Sequence, residues 1–202
     1  LLTNAIPKSI GSKNMANIIA IAGSPSHPSR TYTLLEHSTK ILQQEGFQTD
    51  IISVRDIPAE VLAYGRYDSP DLEQPKALIE KADGIIIATP IYKAAYTGVL
   101  KAFLDLLPQR ALSGKVVLPI ATGGTLAHLL AIDYALKPVL SELKARFILG
   151  GVYAVDKQLQ IQQDGSLQFD EEIDQRLKEA LNDFAQSVKS LQPNVKELAS
   201  AN

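Results

Sequence analysis

The chain of 202 residues is 46% apolar and 21% charged, with 12 Gly, 11 Pro, one Met and neither Cys nor Trp. That length carries one domain with a two-sided core and would cramp two, and the missing thiols exclude disulfides, thiolate metal sites, cysteine nucleophiles and iron–sulfur clusters. A formal charge of -2 argues against a broad nucleic-acid-binding face, and no apolar run reaches the roughly 18–20 residues that span a bilayer. The expectation is a single soluble, cytoplasmic domain.

The chain opens LLTNAIPKSIGSKN, and its only methionine is Met15. Residues 1–14 read as a leader or expression remnant, or else as a native flexible arm, which places the domain at 15–192. From there short β-branched runs alternate with helical stretches. Asn17–Ala22 predicts a buried strand, Gly23–Arg30 a turn-rich loop, and Thr31–Glu45 a helix stopped by Gly46 in the C′ position. Thr49–Val54 predicts a second strand, followed by an irregular stretch around Pro58–Tyr67 and a helix near Pro70–Ala82. Gly84–Ala88 is apolar at nearly every position, as a strand covered on both faces should be.

Gly98–Leu107 predicts a short helix ended by Pro108, Lys115–Ile120 a fourth strand, and Thr125–Lys144 a long helix that Pro138 in its interior should kink, releasing a carbonyl near Tyr134. Phe147–Val155 supplies a fifth strand. Asp164-Gly165, between Leu159/Ile161 and Leu167/Phe169, signals a hairpin. The last helix carries one apolar stripe, Ile173, Leu177, Leu181, Phe184, Val188 and Leu191. Its Asp170, Glu171, Glu172 and Asp174 form a solvated first turn favoured by the helix dipole. Residues 193–202 read as a loose tail.

Five β runs separated by helices predict a parallel sheet with right-handed crossovers in a three-layer α/β sandwich. The count suits the five-stranded order 2-1-3-4-5 better than a six-stranded sheet. That order makes the C-terminal ends of strands 1, 3 and 4 neighbours, and each is followed by an unusual loop. Gly23–Thr31 offers small hydroxyls, Arg30 and helix N-terminal amides, which suit a phosphate or an ordinary capped βα connection. It lacks both the GxxxxGK[ST] and the GxGxxG spacing.

Thr89–Gly98 places a rigid turn and Tyr92 at the mouth of the sheet, with Ala94 and Ala95 keeping the loop thin enough for a flat ring. Tyr92 and Tyr96 also fit as partly buried packing residues. Ala121–Thr125 has paired glycines that let backbone approach a ligand, or that serve a plain turn. Convergence of the three loops at one switch point favours a binding crevice. His27, His37 and His128 have no metal-ligand spacing, and no serine has the GxSxG context of a hydrolase elbow.

With those residues in view, GSPSHPSRT, ATPIYKAAYTGVLKAFLDLLP and LPIATGGTLAHLLAIDYALKPVL resemble the NADPH-dependent FMN reductases of the flavodoxin-like superfamily. The likeness is greatest to the flavin reductase component of two-component alkanesulfonate monooxygenases, and it runs from Met15 to about Val188. The resemblance implies a flavodoxin-like fold, FMN and NADPH as cofactors, and delivery of reduced FMN to a flavin-dependent monooxygenase in sulfur acquisition. It implies that Ser24, Ser29, Arg30 and Thr31 hold the FMN phosphate. Pro90, Ile91, Tyr92 and Lys93 then run along the isoalloxazine, and Thr122, Gly123, Gly124 and Thr125 close its other edge.

Ser26 stands where the family often has Arg. Hydride transfer between nicotinamide and flavin needs positioning rather than a catalytic side chain, so none is nominated. Arg30, Arg110 or Lys101 could meet the 2′-phosphate of NADPH. The alternatives are a quinone or azo-dye reductase with bound FMN, a flavodoxin-type electron carrier, and a binding module without redox activity. A carrier would be expected to be more acidic and to sandwich the ring between aromatics. Between Leu126 and Leu136 only His128, Asp133 and Tyr134 are polar or semipolar, too few for a helix with one face in water. A homo-oligomer, dimer or tetramer, is therefore expected through Thr125–Lys144 and Phe103–Leu107, unless that helix is covered within the monomer.

Overall fold

Alternation along the strands decides how the layers assemble. In β1 (Asn17–Ala22), Ile18, Ala20 and Ala22 face one side of the sheet, and Ile19 and Ile21 the other, as side chains on successive strand residues must. The structure, a computed structural model, describes residues 15–163 and 167–192. β1 pairs in parallel with β2 (Gln48–Ser53) and with β3 (Gly84–Tyr92), and β3 pairs with β5 (Val116–Gly123) beyond the short return strand β4 (Ala95–Tyr96).

The fifth place in the sheet is shared by β6 (Phe147–Ile148) and β7 (Val152–Val155), both parallel to β5. The single strand expected at Phe147–Val155 is broken by Gly151 at φ 92°. Its absent side chain lets the carbonyl of Pro119 lie 2.8 Å from where a Cβ would sit. The order β2-β1-β3-β5, then β6 and β7, is the expected 2-1-3-4-5 flavodoxin-like arrangement.

On one face lie α1 (Arg30–Gln44) and α6 (Glu171–Leu191), whose Leu34, Leu35, Leu42, Leu177, Leu181 and Phe184 pack on Ile18, Ala20, Ile86 and Leu118. On the other lie α2 (Ala59–Ala63), α3 (Glu73–Lys81), α4 (Gly98–Asp105) and α5 (Lys137–Glu142), where Ile79, Phe103 and Leu140 meet Ile19, Ile21, Ile85 and Val117. Burial of these two faces is the main force holding the three layers. Gly46 ends the α1 turn at φ 89°, as its position after the helix predicts. Strands β8 (Leu159–Ile161) and β9 (Leu167–Phe169) pair antiparallel, Leu159 opposite Phe169 and Ile161 opposite Leu167. The turn Asp164-Gly165 lies outside the described residues, as do the leader 1–14 and the tail 193–202.

Three expectations are corrected. The strand expected to stop at Ala88 continues to Tyr92, so Thr89–Tyr92 is strand and the loop reduces to a tight hairpin. The long helix Thr125–Lys144 does not form as one piece. Leu126–His128 is a 3₁₀ turn, Ile132–Leu136 is π-helix and only Lys137–Glu142 is α. Pro138 is the physical reason: it has no N–H to donate, and its ring would collide with the Tyr134 carbonyl in a regular α-helix, so the turn ahead of it widens. Finally, Phe103, Leu104, Leu106 and Leu107 are 7% exposed or less. They are spent in the chain's own core and leave nothing apolar for a subunit. No helix among the described residues is long and apolar enough to cross a membrane.

Candidate functional site

The loops after β1, β3 and β5 meet at the C-terminal edge of the sheet, and hydrogen bonds tie each to another. In the first, the Gly23 amide donates to the Ala88 carbonyl at 2.7 Å. A Cβ on Gly23 would lie 2.8 Å from Leu100 Cδ2, so only glycine lets α4 come this close. Ser24 and Ser29 are buried. The Ser24 hydroxyl accepts from the Ser26 amide, and the Ser29 hydroxyl caps α1 by accepting from the Tyr32 amide at 3.2 Å. That leaves the first-turn amides of Arg30 and Thr31 without an intrahelical acceptor. The first turn holds no acidic residue, so the positive end of the dipole is uncompensated by the helix itself. Arg30 is exposed beside it.

The second loop is a two-residue hairpin turn, with Lys93 at φ 51° and Ala94 at φ 65°. Both lie in the left-handed region that a type I′ turn demands and that side chains resist. Pairs Ile91↔Tyr96 and Tyr92↔Ala95 hold it. At its base the buried Thr89 hydroxyl accepts from the Thr97 amide at 3.2 Å. The Thr97 hydroxyl caps α4, accepting from the Leu100 amide, and donates to the Gly23 carbonyl. Tyr92 is 48% exposed, and its Oη lies 3.3 Å from the Ser26 hydroxyl of the first loop. Pro90 and Ile91 are half-buried, and Lys93 is exposed.

The third loop leaves β5 at Gly123. The buried Thr122 hydroxyl pairs with the buried Thr31 hydroxyl at 2.7 Å, joining the end of β5 to the first turn of α1. Gly123 is packed between Tyr153 and Ile91: a Cβ there would collide with the Tyr153 hydroxyl and sit 3.6 Å from Ile91 Cβ. Gly124 is open, its nearest neighbour being the Asp156 carboxylate 4.0 Å from where a Cβ would lie. Thr125 is exposed and accepts from the Ala127 amide. The Tyr153 hydroxyl donates to the Thr125 carbonyl at 2.8 Å. Burial, with Asp156 nearby, pushes that phenol above its ordinary pKa.

Every residue nominated for FMN thus lies in or directly beside one of these three loops, whereas Lys101 lies on α4 and Arg110 is exposed in the turn after it. Of the residues that tie the loops, Thr31, Tyr92 and Thr122 were nominated and Ser26, Thr97 and Tyr153 were not. Thr97 was legible as a threonine before a helix-starting glycine, the N-cap pattern. Tyr153 carries no local signal, since a strand aromatic normally reads as core. Lys101 is engaged with Asp105 at 2.7 Å, which raises its pKa through that hydrogen bond, so it is the least available of the three cations named for a 2′-phosphate. Among the described residues no cluster of His, Asp or Glu could hold a metal ion. The cavities lined by Ile51–Pro58, Arg146–Leu149 and Gly150–Val152 share no residue with these loops.

The donor set fits FMN. Unpaired helix-start amides, serine hydroxyls and one guanidinium suit a phosphate monoester. A bare glycine edge and a half-exposed tyrosine suit the flat ring.

A family model described as NADPH-dependent FMN reductase matches residues 16–160. The chain is 49% identical over 183 residues to an FMN reductase (NADPH) of Escherichia coli strain K12, covering 91% of this chain and 95% of that one. It is 48% identical over 168 residues to an FMN reductase (NADPH) of Pseudomonas putida strain KT2440, covering 83% and 85%. Among solved structures it resembles the apo form of an NADH:FMN oxidoreductase, EMOB, with a TM-score of 0.77, 40% identity, and 86% and 90% of the two chains covered.

The left-handed Ala94 yields the first prediction. Ala94→Gly relieves the steric cost and should raise stability by about 1 kcal/mol, read as a higher midpoint in urea unfolding. An unchanged or lower midpoint would mean that the turn does not hold this backbone in solution.

Proposed function

This chain belongs to the NADPH-dependent FMN reductase family, and we propose that it supplies reduced flavin to a separate flavin-dependent monooxygenase, in alkanesulfonate desulfonation for sulfur acquisition. The activity itself follows from the family: the chain is an oxidoreductase that reduces FMN with NADPH. When bound, FMN supplies the redox chemistry by accepting hydride from the nicotinamide. What the protein contributes is position.

In this reading Ser24, Ser29, Arg30 and Thr31 hold the phosphate. Arg30 brings the charge. Thr31 acts through its amide, because its hydroxyl is taken by Thr122. Pro90, Ile91, Tyr92 and Lys93 lie along the isoalloxazine, and Thr122, Gly123, Gly124 and Thr125 close the other edge. Lacking Arg at Ser26, the cradle relies on Arg30 and the dipole of α1. The observation that carries the delivery role is openness. Tyr92, Gly124 and Thr125 are all exposed, so the loops hold a ring from its edge and leave a face for nicotinamide and a path for departure. A cytoplasmic location accords with that role.

Homo-oligomerisation, as a dimer or tetramer, belongs to the same reading. Leu126, Leu129, Leu130 and Tyr134 are exposed, Leu126 at 61% and Tyr134 at 78%. This patch directly follows the Gly-Gly loop and is the part of Thr125–Lys144 left uncovered by the chain itself. Exposed large apolar side chains this close together in the chain are seldom left to water.

Purified protein should oxidise NADPH only when FMN is added and should leave gel filtration colourless. Tyr92→Ala should weaken FMN binding by about fivefold, as loss of an aromatic contact worth about 1 kcal/mol requires. Absence of FMN-dependent NADPH oxidation would overturn the reductase, and a flavin that stays bound through the column would overturn delivery. Leu130→Asp should convert the oligomer to a monomer in light scattering. A wild type already monomeric at micromolar concentration would refute the patch as an interface.

A further inference from the structure

We propose that Tyr153 is a positioning residue for the flavin ring, setting the gap between the two loops that flank it. The inference rests on the flavin placement proposed above. Tyr153 stands on β7 in register with Ala121 of β5 and is 1% exposed. Three contacts radiate from this one side chain. Its hydroxyl donates to the Thr125 carbonyl at 2.8 Å, fixing the far end of the glycine loop. The same oxygen lies against Gly123, where no Cβ could fit, fixing the near end. Tyr153 also belongs to a small apolar cluster with Ala121, Ile132 and Val155, against which Ile91 of the hairpin packs.

The phenol is therefore shared by both walls of the crevice. The apolar cluster it belongs to supports Ile91 on the hairpin side, and its hydroxyl anchors Gly123–Thr125 on the other. A hydrogen bond to a backbone carbonyl constrains that backbone directly, whereas apolar packing alone would let the loop slide. Burial, with Asp156 beside it, raises the phenol's pKa, which favours the protonated, donating hydroxyl. Glycine at 123 follows from the same arrangement: the phenol occupies the space that any larger residue would need.

Removing only the hydroxyl separates anchoring from packing. Tyr153→Phe, with its circular dichroism unchanged, should weaken FMN and riboflavin equally, by about fivefold, the net value of one hydrogen bond, in flavin-fluorescence titrations. Ser29→Ala should weaken FMN and spare riboflavin, which has no phosphate. Gly123→Ala should lose flavin binding through collision with the phenol, and Tyr153→Phe in the same chain should restore part of it. Unchanged flavin affinity in Tyr153→Phe while Tyr92→Ala still binds weakly would overturn the positioning role, as would failure of the double variant to exceed Gly123→Ala. Wild-type affinity in Tyr92→Ala, Ser29→Ala and Tyr153→Phe alike would instead overturn the flavin placement.

Discussion

A single buried hydroxyl pair, Thr31 with Thr122, ties together parts of the chain that lie 91 residues apart. Each hydroxyl is all but sealed from water, so neither can find another partner cheaply. Separating them would strand a buried polar group, at about 1–3 kcal/mol. The consequence is geometric: the N-terminus of α1 and the C-terminus of β5 must stay in contact. Parallel pairing of β1 with β3 and of β3 with β5 brings the strand ends together. The hydroxyl pair turns that neighbourhood into a fixed distance between the N-terminus of α1 and the glycine edge after β5.

The other ties serve the same end. Thr97 joins the hairpin to Gly23, Ser26 meets Tyr92, and Tyr153 anchors Thr125. Each loop thereby gains, beside its own local bonds, a tie to a residue outside its turn. Such cross-bracing suits the proposed flavin site, because orientation is the protein's main share of a hydride transfer carried by the cofactors. It also leaves the outer surface of the crevice open. The proposed delivery of reduced flavin would use rigid edges and an unobstructed exit, and loops braced at their bases and bare at their tips supply both.

Much of this was legible in the amino-acid order. Runs such as NIIAIA and GIIIA mark strands covered on both faces, and five of them alternating with helices restrict the sheet to few orders. The three loops stand out because serines, a TPxY turn and paired glycines follow strands that this order makes neighbours. Other features were hidden for physical reasons. Lys93-Ala94 lacks the Asn-Gly signature of a type I′ turn, and only strand pairing forces it there. The kink expected from Pro138 near Tyr134 takes the form of the π-helix Ile132–Leu136, but apolar periodicity still read the whole stretch as one long helix. Tyr153 is invisible because its role lies in what its hydroxyl reaches in three dimensions. Phe103–Leu107 misled in the opposite sense, since apolar side chains bound for the core and for an interface look alike in a sequence.

The central claim is that FMN binds where the three braced loops meet. Backbone amide NMR shifts recorded during titration with FMN test it most directly. The account predicts the largest shifts at Arg30, Thr31, Tyr92, Gly123 and Gly124, with those of Arg30 and Thr31 much reduced when riboflavin replaces FMN. Shifts confined to other parts of the chain, such as the cavity lined by Ser53, Asp56 and Pro58, with these five amides unmoved, would contradict it.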